Sequence, residues 1–88
     1  MSIKIDLSYL SQPYNNNMEV VEVNGSTVGE CLKHLVEQFP KLKLFNKDGK
    51  LLPYLGIYVN GESAYPKQLD KPVKDGDELS IILMVGGG

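Results

Sequence analysis

The chain ends Met84-Val85-Gly86-Gly87-Gly88, and the group on it best placed to do chemistry is the α-carboxylate of Gly88. At an average glycine usage of about 7%, three terminal glycines arise by chance roughly once in 3,000 chains. That sets a frayed end or an appended scar behind a working tail. Glycine has no Cβ, so such a tail can thread a narrow channel and take almost any backbone angle. Three extended residues reach roughly 10 Å. The carboxylate would then enter another protein's active site while the globular body docks outside. A carboxylate resists nucleophiles because its charge is shared by two oxygens. ATP would convert it to an acyl-adenylate, a mixed anhydride with a good leaving group. Sulfide would displace AMP and leave –COS⁻ on Gly88; a protein persulfide would displace AMP to give an acyl disulfide, which a second thiol would cleave to the same –COS⁻. No step requires a catalytic side chain from this chain.

The remaining candidates are blander. One cysteine, Cys31, excludes an internal disulfide and any four-cysteine metal or iron–sulfur site. One histidine, His34, excludes a cluster of imidazole ligands. Cys31 falls on the apolar stripe of a predicted helix and reads as a buried core thiol, with persulfide handling as the alternative. His34 faces solvent by helical phase, one turn after Glu30. Asp75, Asp77 and Glu78 read as an acidic turn leading into a strand rather than a cation site, so no metal is expected. There is no Gly-x-Gly-x-x-Gly or Gly-Lys-Ser/Thr loop, so the chain is expected to bind no cofactor itself. ATP would be bound by a partner.

Size and charge narrow the function further. Eighty-eight residues make one domain. Such a chain buries roughly 60–65% of its unfolded surface, which leaves little room for an enclosed active site. Nine basic and 11 acidic residues give a net charge of −2. No basic stripe is present, which argues against a nucleic-acid partner. The charges are well mixed, and no apolar run approaches the roughly 18 residues that span a bilayer. Met1 to Asp6 alternates polar and apolar instead of showing a signal peptide's solid apolar block. A cytoplasmic protein without a membrane partner is expected.

Several elements must position the tail. Ile3, Ile5, Leu7 and Tyr9 alternate with polar residues and predict a half-buried strand. Residues 10–17, with Pro13 and three consecutive asparagines, predict a loop. Met18 to Val23 predicts a second strand of ambiguous facing, closed by an Asn24-Gly25 turn. Thr27 with Glu30 fits a capping box. Val28, Cys31, Leu32, Leu35, Val36 and Phe39 then trace one apolar stripe along about three helical turns, opposite Glu30, Lys33, His34 and Glu37. Pro40 ends the helix. Leu42, Leu44 and Phe45 are candidates to pack down before a turn at residues 47–50. Ile57 to Val59 predicts a short strand stopped by the hairpin signal Asn60-Gly61, with Ser63 to Tyr65 as the return strand. Leu69 is an inward anchor in a loop framed by Pro66 and Pro72. After the turn at residues 74–77, Leu79 to Val85 is the last and most apolar strand.

This order, with the first strand placed beside the last, predicts an α+β fold: a mixed sheet of four to five strands packed on one main helix, the β-grasp or ubiquitin-like arrangement. The domain would span residues 1–85, with 86–88 as a glycine tail. If Leu79, Ile81, Leu83 and Val85 point inward, Ser80, Ile82 and Met84 point out. Ile82 and Met84, with Val85 at the start of the tail, would form an apolar docking patch for a partner. Cover by another part of the domain, or a homo-oligomer contact, are the alternatives.

Val73-Lys74-Asp75-Gly76-Asp77-Glu78-Leu79, then an apolar strand, then Gly87-Gly88, resembles the MoaD/ThiS family of prokaryotic sulfur carriers. The helix start and the Val59-Asn60-Gly61 turn sit where that family has them, and the resemblance covers essentially the whole chain. Gly49 through Asn60 is similar to MoaD and CysO-type carriers and longer than is usual in ThiS. Leu83-Met84 stands where MoaD proteins commonly have prolines, and three glycines stand where they commonly have one small residue and two glycines. The resemblance implies a carrier, not an enzyme. It would be adenylated at Gly88 by a ubiquitin-activating-type adenylyltransferase similar to MoeB or ThiF. A sulfur donor would load it, and a biosynthetic enzyme for molybdopterin, cysteine or thiamine would accept the sulfur. A ubiquitin-like modifier joined to lysine and a non-covalent interaction module are the rival expectations.

Overall fold

The computed structural model describes residues 2–8, 20–65 and 67–83. Tyr9, the loop at 10–17, Met18, Pro66, Met84, Val85 and the glycines Gly86, Gly87 and Gly88 lie outside the described residues. The elements run β1 (Ser2–Asp6), β2 (Val20–Asn24), α1 (Val28–Gln38), β3 (Leu55–Val59), β4 (Glu62–Ser63), a short 3-10 helix (Gln68–Asp70) and β5 (Glu78–Leu83). The sheet order is β2-β1-β5-β3-β4. β1 lies parallel to β5 and the other pairings are antiparallel. Five strands gripping one helix is the ubiquitin-like β-grasp fold, with the last strand at its centre.

The period-two pattern survives as burial. Ile3, Ile5 and Leu7 are fully buried, as are Ile57, Leu79 and Ile81. The ambiguous second strand resolves with Val23 buried and Val21 packed against the core, while Val20 is 52% exposed. Register explains the choice: Val21 and Val23 stand opposite Ile5 and Ile3. Helix α1 closes this core with Val28, Cys31, Leu32 and Leu35, all buried. Leu42 and Leu44 are buried too, with Phe45 and Leu69 packed at the core's margin.

Three local expectations are corrected. Thr27 caps the helix, its Oγ1 accepting the Glu30 N–H at 3.2 Å. Glu30 does not return to the Thr27 amide. Its carboxylate accepts the N–H and the hydroxyl of Ser26, both at 2.8 Å. The Thr27 segment is otherwise engaged, since it bridges to Pro72 and the following Val28 N–H donates to the Lys71 carbonyl. Second, His34 is half-buried rather than solvent-facing. Its Nδ1 accepts the Asn24 N–H at 2.9 Å, and its Nε2 lies 3.1 Å from the Gln38 side-chain amide. Third, the return strand is Glu62–Ser63, not Ser63–Tyr65. The Ser63 hydroxyl accepts the Tyr65 N–H and turns the chain, leaving Tyr65 71% exposed.

Gly25 joins β2 to the helix by close approach. A Cβ there would lie 2.8 Å from both the backbone nitrogen and Sγ of Cys31. Cys31 itself is fully buried, as expected. Burial, and then the Glu30 charge, pushes its thiol up to about 11. A thiol so held is protonated at neutral pH and a poor nucleophile.

Candidate functional site

The tail leaves the body through β5, so the site is built on that strand. β5 is flanked by β1 at Glu78, Leu79 and Ser80 and by β3 from Leu79 to Leu83, so Leu79 and Ser80 are paired on both sides. A strand paired on both edges cannot shift without breaking two hydrogen-bond ladders. Leu79 and Ile81 anchor it into the core, and Leu83 packs at the core's margin.

The other parity faces away from the helix. Ser80 and Ile82 are half-buried and, with Tyr58 and Gly61, line a shallow open hollow of about 280 Å³. Ile82 thus lies on the outer face, as its parity predicts, but in a hollow rather than on a fully exposed patch. Its expected companions Met84 and Val85 lie outside the described residues. Tyr58 and Gly61 carry no signal as site residues in the sequence. They reach Ser80 because β3 runs antiparallel to β5 with Tyr58 opposite Ser80, a pairing that follows only from sheet order. A larger hollow, about 460 Å³, is lined by Lys50, Leu51 and residues 67–70 beside the 3-10 helix, away from β5.

A polar clamp sets where β5 begins. Asn60 and Gly61 turn the β3–β4 hairpin with φ of 51° and 87°, the positive pair that a type I′ turn requires. The Asn60 backbone N–H donates to the Glu78 carbonyl at 2.8 Å, and the Asn60 side-chain oxygen accepts the Glu78 N–H at 2.9 Å. The Asn60 amide also donates to Asp77 at 3.0 Å, while Asp77 accepts the Lys74 N–H at 2.9 Å. Asp75 accepts the Ser2 N–H at 2.6 Å and so joins the turn to β1. Asp75 and Asp77 are therefore occupied by amide donors in a turn. Among the described residues, no group of three or more metal-ligating side chains converges.

These bonds also set a pH dependence. The Lys74 N–H and the Asn60 amide hold Asp77 below its ordinary value of 3.8, and Ser26 holds Glu30 below 4.5. A depressed carboxylate contributes stability that is fully present above its unfolded pKa and is lost as pH falls through its folded pKa. Thermal stability should thus be level near neutrality and fall below about pH 4. Asp77→Asn should flatten part of that fall. Melting temperatures between neutral and strongly acidic pH check this, and an unchanged profile in Asp77→Asn would refute Asp77's share.

Comparison with known proteins places this geometry. The ThiS family model matches residues 8–88. An Archaeoglobus fulgidus protein named "Putative sulfur carrier protein" is 43% identical, with all of both chains covered. A chain of the Amycolatopsis orientalis BexX/CysO complex is 28% identical with a TM-score of 0.80, covering 98% of this chain and 99% of its own. Small archaeal modifier protein 1 (SAMP1) of Haloferax volcanii is likewise 28% identical with a TM-score of 0.80, and both chains are fully covered.

Proposed function

Since this chain belongs to the ThiS family, we propose that it carries sulfur as a thiocarboxylate on Gly88. The observation that carries this reading is the position of β5: the central strand of the sheet, anchored by Leu79 and Ile81, ends at Leu83 and leads directly into residues 84–88. A partner adenylyltransferase of the MoeB or ThiF type binds ATP and the outer face of β5, where Ile82 contributes and where Met84 and Val85 would extend the contact. The Gly88 carboxylate oxygen attacks the α-phosphorus of ATP and pyrophosphate leaves. Hydrosulfide then attacks the carbonyl carbon of the acyl-adenylate, the C–O bond to AMP breaks, and –COS⁻ remains. Sulfur passes from there to a biosynthetic enzyme, for which cofactor and cysteine synthesis are the candidates. In this scheme the chain is a substrate and carrier, and ATP is never its own ligand.

A second reading is favoured by one finding, the likeness to the archaeal modifier protein. It shares the adenylate but ends in an isopeptide bond to a lysine. Intact-mass measurement with ATP, an adenylyltransferase and sulfide separates the two. The expected result is replacement of one oxygen by sulfur at Gly88. Absence of both adenylate and thiocarboxylate with every such enzyme tried would overturn the carrier reading. Isopeptide-linked products without thiocarboxylate would favour the modifier.

A further inference from the structure

The outer face of the sheet differs in charge from the rest of the molecule. All nine basic residues are lysines, yet Lys4 is the one carried by any described strand. Register sets Lys4 directly between Glu22 of β2 and Glu78 of β5. Asp6, in the next outward row, stands opposite Ser80, which stands opposite Tyr58 on the other side. Glu22 and Glu78 are exposed, and Asp6 is half-buried. The hollow at Tyr58, Ser80 and Ile82 therefore has Asp6 and Glu78 beside it, and Lys4 and Glu22 continue the same face across β1 and β2. The other lysines lie on the helix, the loops and the turns. Glu22 accepts the Ser2 hydroxyl at 3.2 Å and Asp6 accepts the Ser8 N–H at 2.8 Å. The three carboxylates still share one amine on this face, so burying it against an uncharged or acidic surface would desolvate uncompensated negative charge, which is costly. A basic surface would instead be drawn to it.

We infer that the outer sheet face selects a partner whose contact surface is an apolar side chain flanked by lysine or arginine, and that the adenylyltransferase presents such a surface. The apolar side chain fills the hollow. The flanking cations meet Glu22, Glu78 and Asp6 and steer the encounter. This inference rests on the carrier reading but adds the chemistry of the partner and a role for three carboxylates.

The test uses the full chain and the adenylyltransferase that adenylates it, with association followed by stopped-flow or biolayer interferometry. Raising salt from about 0.01 M to about 1 M shrinks the screening length from about 30 Å to about 3 Å. The association rate should fall at least about tenfold. Glu22→Lys with Glu78→Lys should slow association at low salt by a similar factor and remove most of the salt dependence. Lys33→Glu, exposed on helix α1, which packs on the other face of the sheet, should leave the rate within about twofold. The wild-type salt series needs no variant, so the test survives if the double reversal fails to fold. A rate that is flat or rising with salt, while adenylate still forms, overturns the inference and leaves the carrier reading standing. Failure of any adenylyltransferase to form the adenylate overturns both.

Discussion

Removing Gly88, so that the chain ends at Gly87, should lower adenylate and thiocarboxylate formation by at least about a hundredfold while leaving the fold intact. The body docks through its sheet, so the span from Leu83 to the carboxylate is measured by chain length alone. Loss of one residue withdraws the carboxylate by about 3.3–3.6 Å. A misplacement of only about 1 Å from a reactive geometry can cost on the order of a hundredfold. Stability should not follow, because the buried anchors of β5 are Leu79 and Ile81, well before the truncation. Intact-mass kinetics with the adenylyltransferase and ATP check the first half, and thermal melting checks the second. Replacing Gly87 with valine is a complementary probe. It keeps the length but adds a branched side chain where a narrow channel would have to admit it. Normal adenylation of the truncated chain, now at the Gly87 carboxylate, would overturn the claim that the reach from Leu83 to the carboxylate is set by chain length.

The second large effect separates two neighbouring isoleucines. Ile81→Ala should destabilise the fold by about 2–5 kcal/mol, whereas Ile82→Ala should cost about 1 kcal/mol or less. Ile81 is fully buried and stands opposite Ile57 across the β3–β5 ladder. Truncation there opens a cavity between the sheet and the helix that close-packed neighbours cannot readily fill. In a domain of this size each kcal/mol moves the melting temperature by about 4–8 °C, so Ile81→Ala should melt at least about 8 °C lower. Ile82 is half-buried on the other face and lines the hollow. Its truncation should act chiefly on the partner, weakening association with the adenylyltransferase while the melt moves much less than in Ile81→Ala. Equal losses of stability in the two variants would contradict the facing of β5. Denaturant or thermal unfolding decides the stability half, and titration with the adenylyltransferase decides the binding half.

Much of this arrangement is determined by the sequence alone. Alternation at Ile3, Ile5 and Leu7, the helical stripe from Val28 to Phe39, and the breakers Pro40 and Asn60-Gly61 define elements through local sterics and local burial. They need no knowledge of distant contacts. The parity of β5 is likewise local: once Ile81 points in, Ile82 must point out. The glycine tail is a feature of composition at a chain end, so the candidate reacting group was legible as well. Only the tertiary structure decided which pairs meet across the chain. The facing of Val20 and Val21 waited on register against β1. The Glu30 carboxylate turned to Ser26 because the helix start is stitched to residues 71–73. His34 became a bridge to Asn24 because β2 ends beside the helix. Tyr58, Ser80 and the carboxylates on the outer face come from four strands, three of them far apart in sequence. Their convergence depends on strand order and register, which arise from the cooperative packing of the whole core, and no local stretch of the chain encodes them.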